Sequence, residues 1–163
     1  MNADAIPALV GRLADGLRAR GWMLSSAESC TGGLIAGACT ELPGSSNWFE
    51  RGFVTYSNQA KQELLGVDPA AIAAHGAVSE VVVRAMAFGA VRHSRAQASV
   101  AVTGVAGPSG GSAAKPVGTV WFGFSVAGRL TSETHRFDGD RRAVRQATVE
   151  HGLRRLLELL RAT

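Results

Sequence analysis

The chain has 163 residues, 46% of them hydrophobic and 18% charged, which is enough for the core of one globular domain and too little for two ordinary ones. No apolar run approaches the roughly 20 residues that span a bilayer, and no basic, apolar leader opens the chain, so we expect a cytoplasmic protein with no membrane partner. The net charge of +4 comes from scattered bases, which predicts no nucleic-acid partner.

The first half of the chain alternates amphipathic helices with short apolar strands. Apolar residues at helical spacing predict the helices, and short β-branched or aromatic runs predict the strands. The predicted elements are a helix over residues 3–20, a strand over 22–27, a helix over 34–40, a strand over 48–56 and a helix from a Ser57 cap to Leu65.

The second half adds two more helices, one strand and a terminal hairpin with its helix. The predicted elements are a short helix over residues 69–74, a helix from a Ser79 cap to about His93, a strand over 97–102, hairpin strands over 117–126 and 130–137, and a helix over 140–160. Crossover helices separate the early strands, whereas the late ones form a hairpin. This pattern predicts an α/β protein: a single-domain, three-layer α/β/α sandwich over residues 1–163 with a mixed, mostly parallel sheet.

The cysteines and histidines match no disulfide or metal spacing. Cys30 and Cys39 are predicted in or beside one helix, nine residues and about 13 Å apart, and therefore as free thiols. The four histidines are far from one another in the sequence; they are His75, His93, His135 and His151. We therefore expect no metal site and no cofactor.

A polar turn over residues 28–33 follows the first predicted strand, where open α/β sheets place their ligand sites. Ser29 would stand on a rigid turn beside free amides, and Gly32 and Gly33 let the backbone approach a ligand. This arrangement suits a nucleophile with an oxyanion hole or a phosphate cradle. The alternative is that Ser29 and Thr31 only cap the next helix.

Tyr56 and Lys61 lie at the second junction between a strand and a helix. Lysine is rare here, because 15 of the 17 basic residues are arginine. A lysine in a partly desolvated pocket loses its proton more easily than one in water and can then act as a base toward a serine hydroxyl, which arginine cannot. The alternative is a solvated lysine beside a strand-end tyrosine.

Two further segments offer groups to a polar ligand. The loop over residues 103–116 is rich in glycine and small hydroxyls, notably at Thr103, Gly104 and Gly107, although a long surface connection has the same composition. Arg141 and Arg145 lie on one face of the last helix, which fits a phosphate; a solvated helix end or a subunit contact would fit equally well.

Taken together, these segments resemble the C-terminal domain of the competence/damage-inducible protein CinA. The resemblance covers nearly the whole chain, in order. It is carried by Ala27-Glu28-Ser29-Cys30-Thr31-Gly32-Gly33, Gly44-Ser45-Ser46, Arg51-Gly52-Phe53-Val54-Thr55-Tyr56-Ser57-Asn58, Lys61, His75-Gly76-Ala77-Val78-Ser79-Glu80, Gly104, Ala106-Gly107-Pro108, Lys115-Pro116-Val117-Gly118-Thr119-Val120 and Gly139-Asp140-Arg141.

The resemblance implies hydrolysis of the carboxamide of nicotinamide mononucleotide to nicotinic acid mononucleotide and ammonia, in the recycling of pyridine nucleotide toward NAD. It implies Ser29 as the nucleophile, Lys61 as its base and Tyr56 as the third catalytic member. The resemblance also suggests a homodimer. Longer family members carry an additional N-terminal domain, for which this chain has no room, so its activity is not carried over.

Within that resemblance we assign substrate contacts to the turn, the glycine-rich loop and the last helix. Amides near Gly32 and Gly33 are expected to steady the oxyanion, the loop to hold the nicotinamide and ribose, and an arginine to bind the phosphate. The expected substrate-binding residues are Thr31, Gly32, Gly33, Thr103, Gly104, Gly107, Arg141 and Arg145. Two alternatives stay open: a non-catalytic pyridine-nucleotide-binding module linked to competence or DNA damage, and a thiol hydrolase that uses Cys30.

Overall fold

A computed structural model describes residues 5–163. The elements follow the predicted order, with boundaries that differ by a few residues; positions 3 and 4 of the first predicted helix lie outside the described residues. In chain order the elements are α1 (Ala5–Arg20), β1 (Leu24–Glu28), α2 (Leu34–Thr40), β2 (Phe49–Val54), α3 (Asn58–Leu65), α4 (Pro69–His75), α5 (Glu80–Arg92), β3 (Ala98–Gly104), β4 (Thr119–Val126), β5 (Arg129–Arg136) and α6 (Arg141–Arg161).

The five strands form one sheet in the order β2-β1-β3-β4-β5. Strand β1 is parallel to both neighbours, β2 and β3, whereas β4 is antiparallel to β3 and to β5. Four strands therefore point the same way and only β4 is reversed, which confirms the mixed, mostly parallel sheet. The β4–β5 hairpin turns at Ala127 and Gly128, which both have positive φ, as a type I′ hairpin requires.

Helices cover both faces of the sheet, which confirms the three layers. On one face α1, α2 and α6 bury side chains such as Leu17 and Leu153 against Phe122 of β4. On the other face α3, α4 and α5 pack on the sheet, with Met86 of α5 in the same cluster as Ala101 of β3. No helix within residues 5–163 combines the length and apolar character needed to cross a bilayer.

This topology determines where the functional side chains meet. Strands β1, β2 and β3 are adjacent and parallel, so their carboxyl ends lie at one edge of the sheet. The chain leaves β1 toward β2 and then crosses back past β1 to β3. Such a switch point is where open α/β sheets bind their ligands.

Candidate active site

A cavity of about 220 Å³ lies at that edge of the sheet. Segments from the ends of β1, β2 and β3, together with the first turn of α6, contribute to its wall. Of the eleven residues that the sequence nominates for the site, six line the cavity: Ser29, Tyr56, Lys61, Thr103, Gly104 and Arg141. The other five do not line it.

Lys61 extends from α3 into the cavity and is only 1% exposed. Its Nζ lies 3.1 Å from Ser29 Oγ and donates to the carbonyl oxygen of Thr55 at 2.8 Å. A third, longer contact of 3.4 Å reaches the carbonyl oxygen of Tyr56. The alternative of a solvated surface lysine is therefore wrong.

Burial also changes the acid–base chemistry of Lys61. Desolvation lowers its pKa below the ordinary value of 10.5, with an opposing effect from the neighbouring Cys30 thiol. No carboxylate within residues 5–163 forms a salt bridge with the ammonium group. Because two backbone carbonyls accept its hydrogens, the lone pair of the neutral amine is left to face Ser29 Oγ. This is the geometry that a general base for a serine hydroxyl requires.

Glu28 fills the N-terminus of α2. Its carboxylate is 1% exposed; Oε1 accepts from Thr31 Oγ1 at 2.6 Å and from the Ile35 N–H at 2.8 Å, and Oε2 accepts from the Ala36 N–H at 3.1 Å. A helix N-terminus favours an anion, and here the Glu28 carboxylate is that anion. This favours the nucleophile interpretation of the turn over the phosphate cradle.

The turn itself is tightly closed, which changes the expected roles of its residues. The hydroxyl of Thr31 is bound to Glu28, and the Gly32 N–H donates to the Ser29 carbonyl oxygen at 3.1 Å, so the Gly32 N–H already has an acceptor within the turn. Within residues 5–163 no acceptor meets the N–H of Cys30 or of Gly33. Of these two residues, Cys30 lines the cavity.

The structure separates the two arginines that were expected to share a phosphate. Arg141 lines the cavity and donates to the carbonyl oxygen of Gly107 at 2.9 Å and to the hydroxyl of Tyr56 at 3.1 Å. Arg145 instead donates to the carbonyl oxygens of Cys30 and Thr31 at 3.0 and 3.2 Å. The paired site is wrong because Arg145, one turn further along α6, reaches the back of the Ser29 turn.

Tyr56 and Thr103 both line the cavity but differ in exposure. Tyr56 is 61% exposed, and within residues 5–163 its hydroxyl bonds to Arg141 and to neither Ser29 nor Lys61. Thr103 is buried, and its hydroxyl donates to the Ala77 carbonyl oxygen at 3.0 Å. Tyr56 thus lies at the mouth of the cavity and Thr103 in its wall.

Cys30 is adjacent to Ser29 but is a poor nucleophile. Burial, the largest effect, raises the pKa of its thiol to about 11, and the charge of Glu28 acts in the same direction. The reactive form of a cysteine is the thiolate, which is scarce at neutral pH with such a pKa. This disfavours the thiol hydrolase. Cys39 is also a free thiol, as predicted.

Five further residues near the site received no individual role from the sequence. Glu28 holds the turn, and Asn58, Ala77, Val78 and Ala106 line the cavity. Ala77 and Val78 come from the connection between α4 and α5 and offer a small, apolar wall. Their segment belongs to the motifs that carry the family resemblance, and this membership is the sequence feature that could have indicated a role for Ala77 and Val78.

Two of the histidines that are far apart in sequence lie side by side. The ring centroids of His135 on β5 and His151 on α6 are 4.0 Å apart, and both rings contact the carboxylate of Glu133. Separation in the sequence therefore does not mean separation in the fold for this pair, because packing of α6 on the sheet joins positions that no local motif connects. Glu133, His135 and His151 are called the histidine cluster below.

The chain is similar to several named proteins. The sequence profile described as the CinA C-terminal domain matches residues 7–160. Nicotinamide-nucleotide amidohydrolase PncC of Enterobacter agglomerans is 58% identical over 82% of each chain, and PncC of Escherichia coli K12 is 48% identical over 96% of this chain and 95% of its own. The crystal structure of competence/damage inducible protein CihA from Agrobacterium tumefaciens has a TM-score of 0.93 and 46% identity, covering 98% of both chains.

Proposed function

The chain belongs to the CinA C-terminal domain family, and on that premise we propose that it hydrolyses the carboxamide of nicotinamide mononucleotide to nicotinic acid mononucleotide and ammonia. The observation that carries the proposal is the buried Lys61 amine 3.1 Å from Ser29 Oγ. The names of the relatives at 58% and 48% identity support the substrate. The reaction returns pyridine nucleotide toward NAD.

The first half of the reaction forms an acyl-enzyme. Neutral Lys61 takes the hydroxyl proton of Ser29 while Oγ attacks the amide carbon, and the carbonyl oxygen becomes an oxyanion. The Cys30 N–H, adjacent to the nucleophile and without an acceptor within residues 5–163, donates to that oxyanion, and Gly33 is the second candidate donor. Protonated Lys61 then gives its proton to the leaving nitrogen, and ammonia departs.

The second half releases the acid. Water attacks the nicotinoyl ester of Ser29, and neutral Lys61 accepts a proton from that water. Collapse of the second tetrahedral intermediate breaks the ester bond and returns the proton to Ser29 Oγ. The product acid then loses its own proton to ammonia or solvent and leaves as a carboxylate, and Lys61 is already neutral for the next cycle.

Substrate recognition follows from the remaining cavity residues. Ala77 and Val78 line the same cavity as the buried Ser29 and Lys61 and offer an apolar surface to the flat pyridine ring. Tyr56, the third expected catalytic residue, has its hydroxyl oxygen bound by Arg141, so that its own proton is available to the substrate. Arg141 has the charge and the position to bind the phosphate near the mouth.

The Gly104–Gly107 segment closes the ribose side of the cavity.

We also propose a cytoplasmic location and a homodimer. The oligomeric state is measured by size-exclusion chromatography with light scattering, where a monomer mass would contradict the homodimer.

Ammonia release from the mononucleotide by purified protein tests the proposed function. We expect turnover by the wild type, loss of turnover in Ser29→Ala and a mild effect in Cys30→Ala, with binding to Ser29→Ala retained in calorimetry. Binding of the mononucleotide by the wild type without ammonia release would overturn the hydrolase and identify a non-catalytic binding module. Normal turnover in Ser29→Ala would overturn the nucleophile.

A further inference from the structure

The histidine cluster brings three metal-binding side chains to one point. Glu133 and His135 alternate on β5 and therefore point to the same face of the sheet, toward His151 of α6. His135 Nε2 lies 3.2 Å from one Glu133 oxygen, and His151 Nε2 lies 3.3 Å from the other. One ligand atom of each residue lies within 4.8 Å of the other two.

These separations are close to those around a bound ion. Zinc bonds to imidazole nitrogen and carboxylate oxygen are about 2.0–2.2 Å long, so neighbouring ligand atoms in a tetrahedral site are roughly 3.3–3.6 Å apart. The distance from His135 Nε2 to Glu133 Oε2 already approaches that range, and small rotations of the His151 and Glu133 side chains would bring the three groups onto one centre. Two histidines and one glutamate are also a common set of ligands for zinc.

We propose that Glu133, His135 and His151 bind one divalent transition-metal ion of the zinc class, with water as the fourth ligand. The ion takes the Nε2 atom of each histidine and one carboxylate oxygen. The side chains of His135, Glu133 and His151 are 39%, 29% and 23% exposed, so the site is open to an ion and to that water.

Arg155 contacts the carboxylate of the cluster, and it leaves room for the ion. Its Nε lies 3.3 Å from Glu133 Oε1, while its NH1 is bound to Glu158 at 2.9 Å. Arg155 therefore holds one oxygen of Glu133 and leaves Oε2 for the metal. Ligating carboxylates are commonly hydrogen-bonded in this way through the oxygen that does not bind the ion.

The ion would stabilise the fold without entering the hydrolysis. None of the three residues lines the cavity around Ser29, and β5 is three strand positions from β1, about 14 Å along the sheet. The bound ion would link the edge strand β5 to α6. We therefore expect metal binding to raise the melting temperature and to leave ammonia release unchanged.

Calorimetric titration of chelator-treated protein with zinc sulfate tests the proposal. We expect one equivalent to bind the wild type, and Mg²⁺ to give no comparable heat. At zinc concentrations about 100 times the dissociation constant, the melting temperature should rise by about 5–10 °C. His151→Gln should weaken binding at least roughly tenfold, whereas His93→Gln, which removes an exposed histidine elsewhere, should leave it unchanged.

If the His151→Gln variant does not fold, a second substitution tests the same metal site. Glu133→Gln removes the charged ligand without changing its size, and circular dichroism confirms that the variant is folded. The proposal is overturned if the wild type binds no zinc, or if a folded His151→Gln or Glu133→Gln variant binds it as tightly as the wild type. Loss of ammonia release on chelation, restored by zinc, would overturn the assignment of the ion to a structural role.

Discussion

Replacement of Glu28 by glutamine tests how the nucleophile is held. Both carboxylate oxygens of Glu28 accept backbone N–H groups of α2, one from Ile35 and one from Ala36. A glutamine side chain has one oxygen and one NH₂ group, so in either orientation its NH₂ group faces an N–H donor. The substitution therefore removes a buried charge at a helix N-terminus and leaves one buried donor without an acceptor.

The size of the effect follows from those two losses. A charge in a favourable, partly buried position at a helix end contributes up to about 2 kcal/mol, and a buried donor without a partner costs about 1–3 kcal/mol. Glu28→Gln should then lower the free energy of unfolding by about 2–4 kcal/mol. For a chain of this length that corresponds to a melting temperature roughly 5–15 °C lower.

Urea unfolding followed by circular dichroism measures the change, and ammonia release from the mononucleotide measures its consequence. Because Ser29 directly follows Glu28, we expect kcat to fall more than KM rises. Glu63→Gln is the matched control, since it removes the same charge from an exposed side chain that bonds only to Gln59 within residues 5–163. Equal stabilities of the Glu28→Gln and Glu63→Gln variants would refute the role assigned to Glu28.

Three other predictions address the arginines and the base. Arg145→Met should lower kcat by up to about 10²-fold with little change in KM, because the Ser29 turn loses its support from behind; an unchanged kcat would contradict this. Arg141→Ala should lower kcat/KM roughly 10- to 150-fold more for the mononucleotide than for the riboside, which has no phosphate; equal losses for both substrates would exclude phosphate binding. The rate should rise with pH toward a midpoint below 10.5, because burial lowers the pKa of Lys61; a rate that falls over this range would exclude a neutral-amine base.

Local signals in the sequence were sufficient for the elements and for much of the site. Ser57 and Ser79 were predicted as helix caps, and both accept the expected N–H in the structure. The scarcity of lysine indicates a special role for Lys61, and the predicted strand ends place Lys61 at the same edge of the sheet as Ser29. These inferences succeed because caps, periodicity and parallel strand ends depend on nearby residues or on a simple topology.

Long-range side-chain contacts were not predictable in this way. The spacing of Arg141 and Arg145 correctly indicated one helix face, but it carried no information on which partner each guanidinium would meet. His135 and His151 are brought together by packing of α6 on the sheet, and their sequence separation matches no ligand motif. The sequence places Glu28 in a polar turn, and nothing local shows that its carboxylate folds back onto α2.

Ammonia release by Lys61→Arg across neutral and alkaline pH tests the central claim most directly, because guanidinium keeps the charge but does not act as a base. Lys115→Arg, at the other lysine, is the matched control, and circular dichroism with a melting curve establishes that both variants are folded. If Lys61→Arg does not fold, Lys61→Met takes its place. The account predicts a loss of about 10²–10⁴-fold in kcat for the Lys61 variant and near wild-type turnover for Lys115→Arg. A folded Lys61→Arg protein that releases ammonia at the wild-type rate would contradict it.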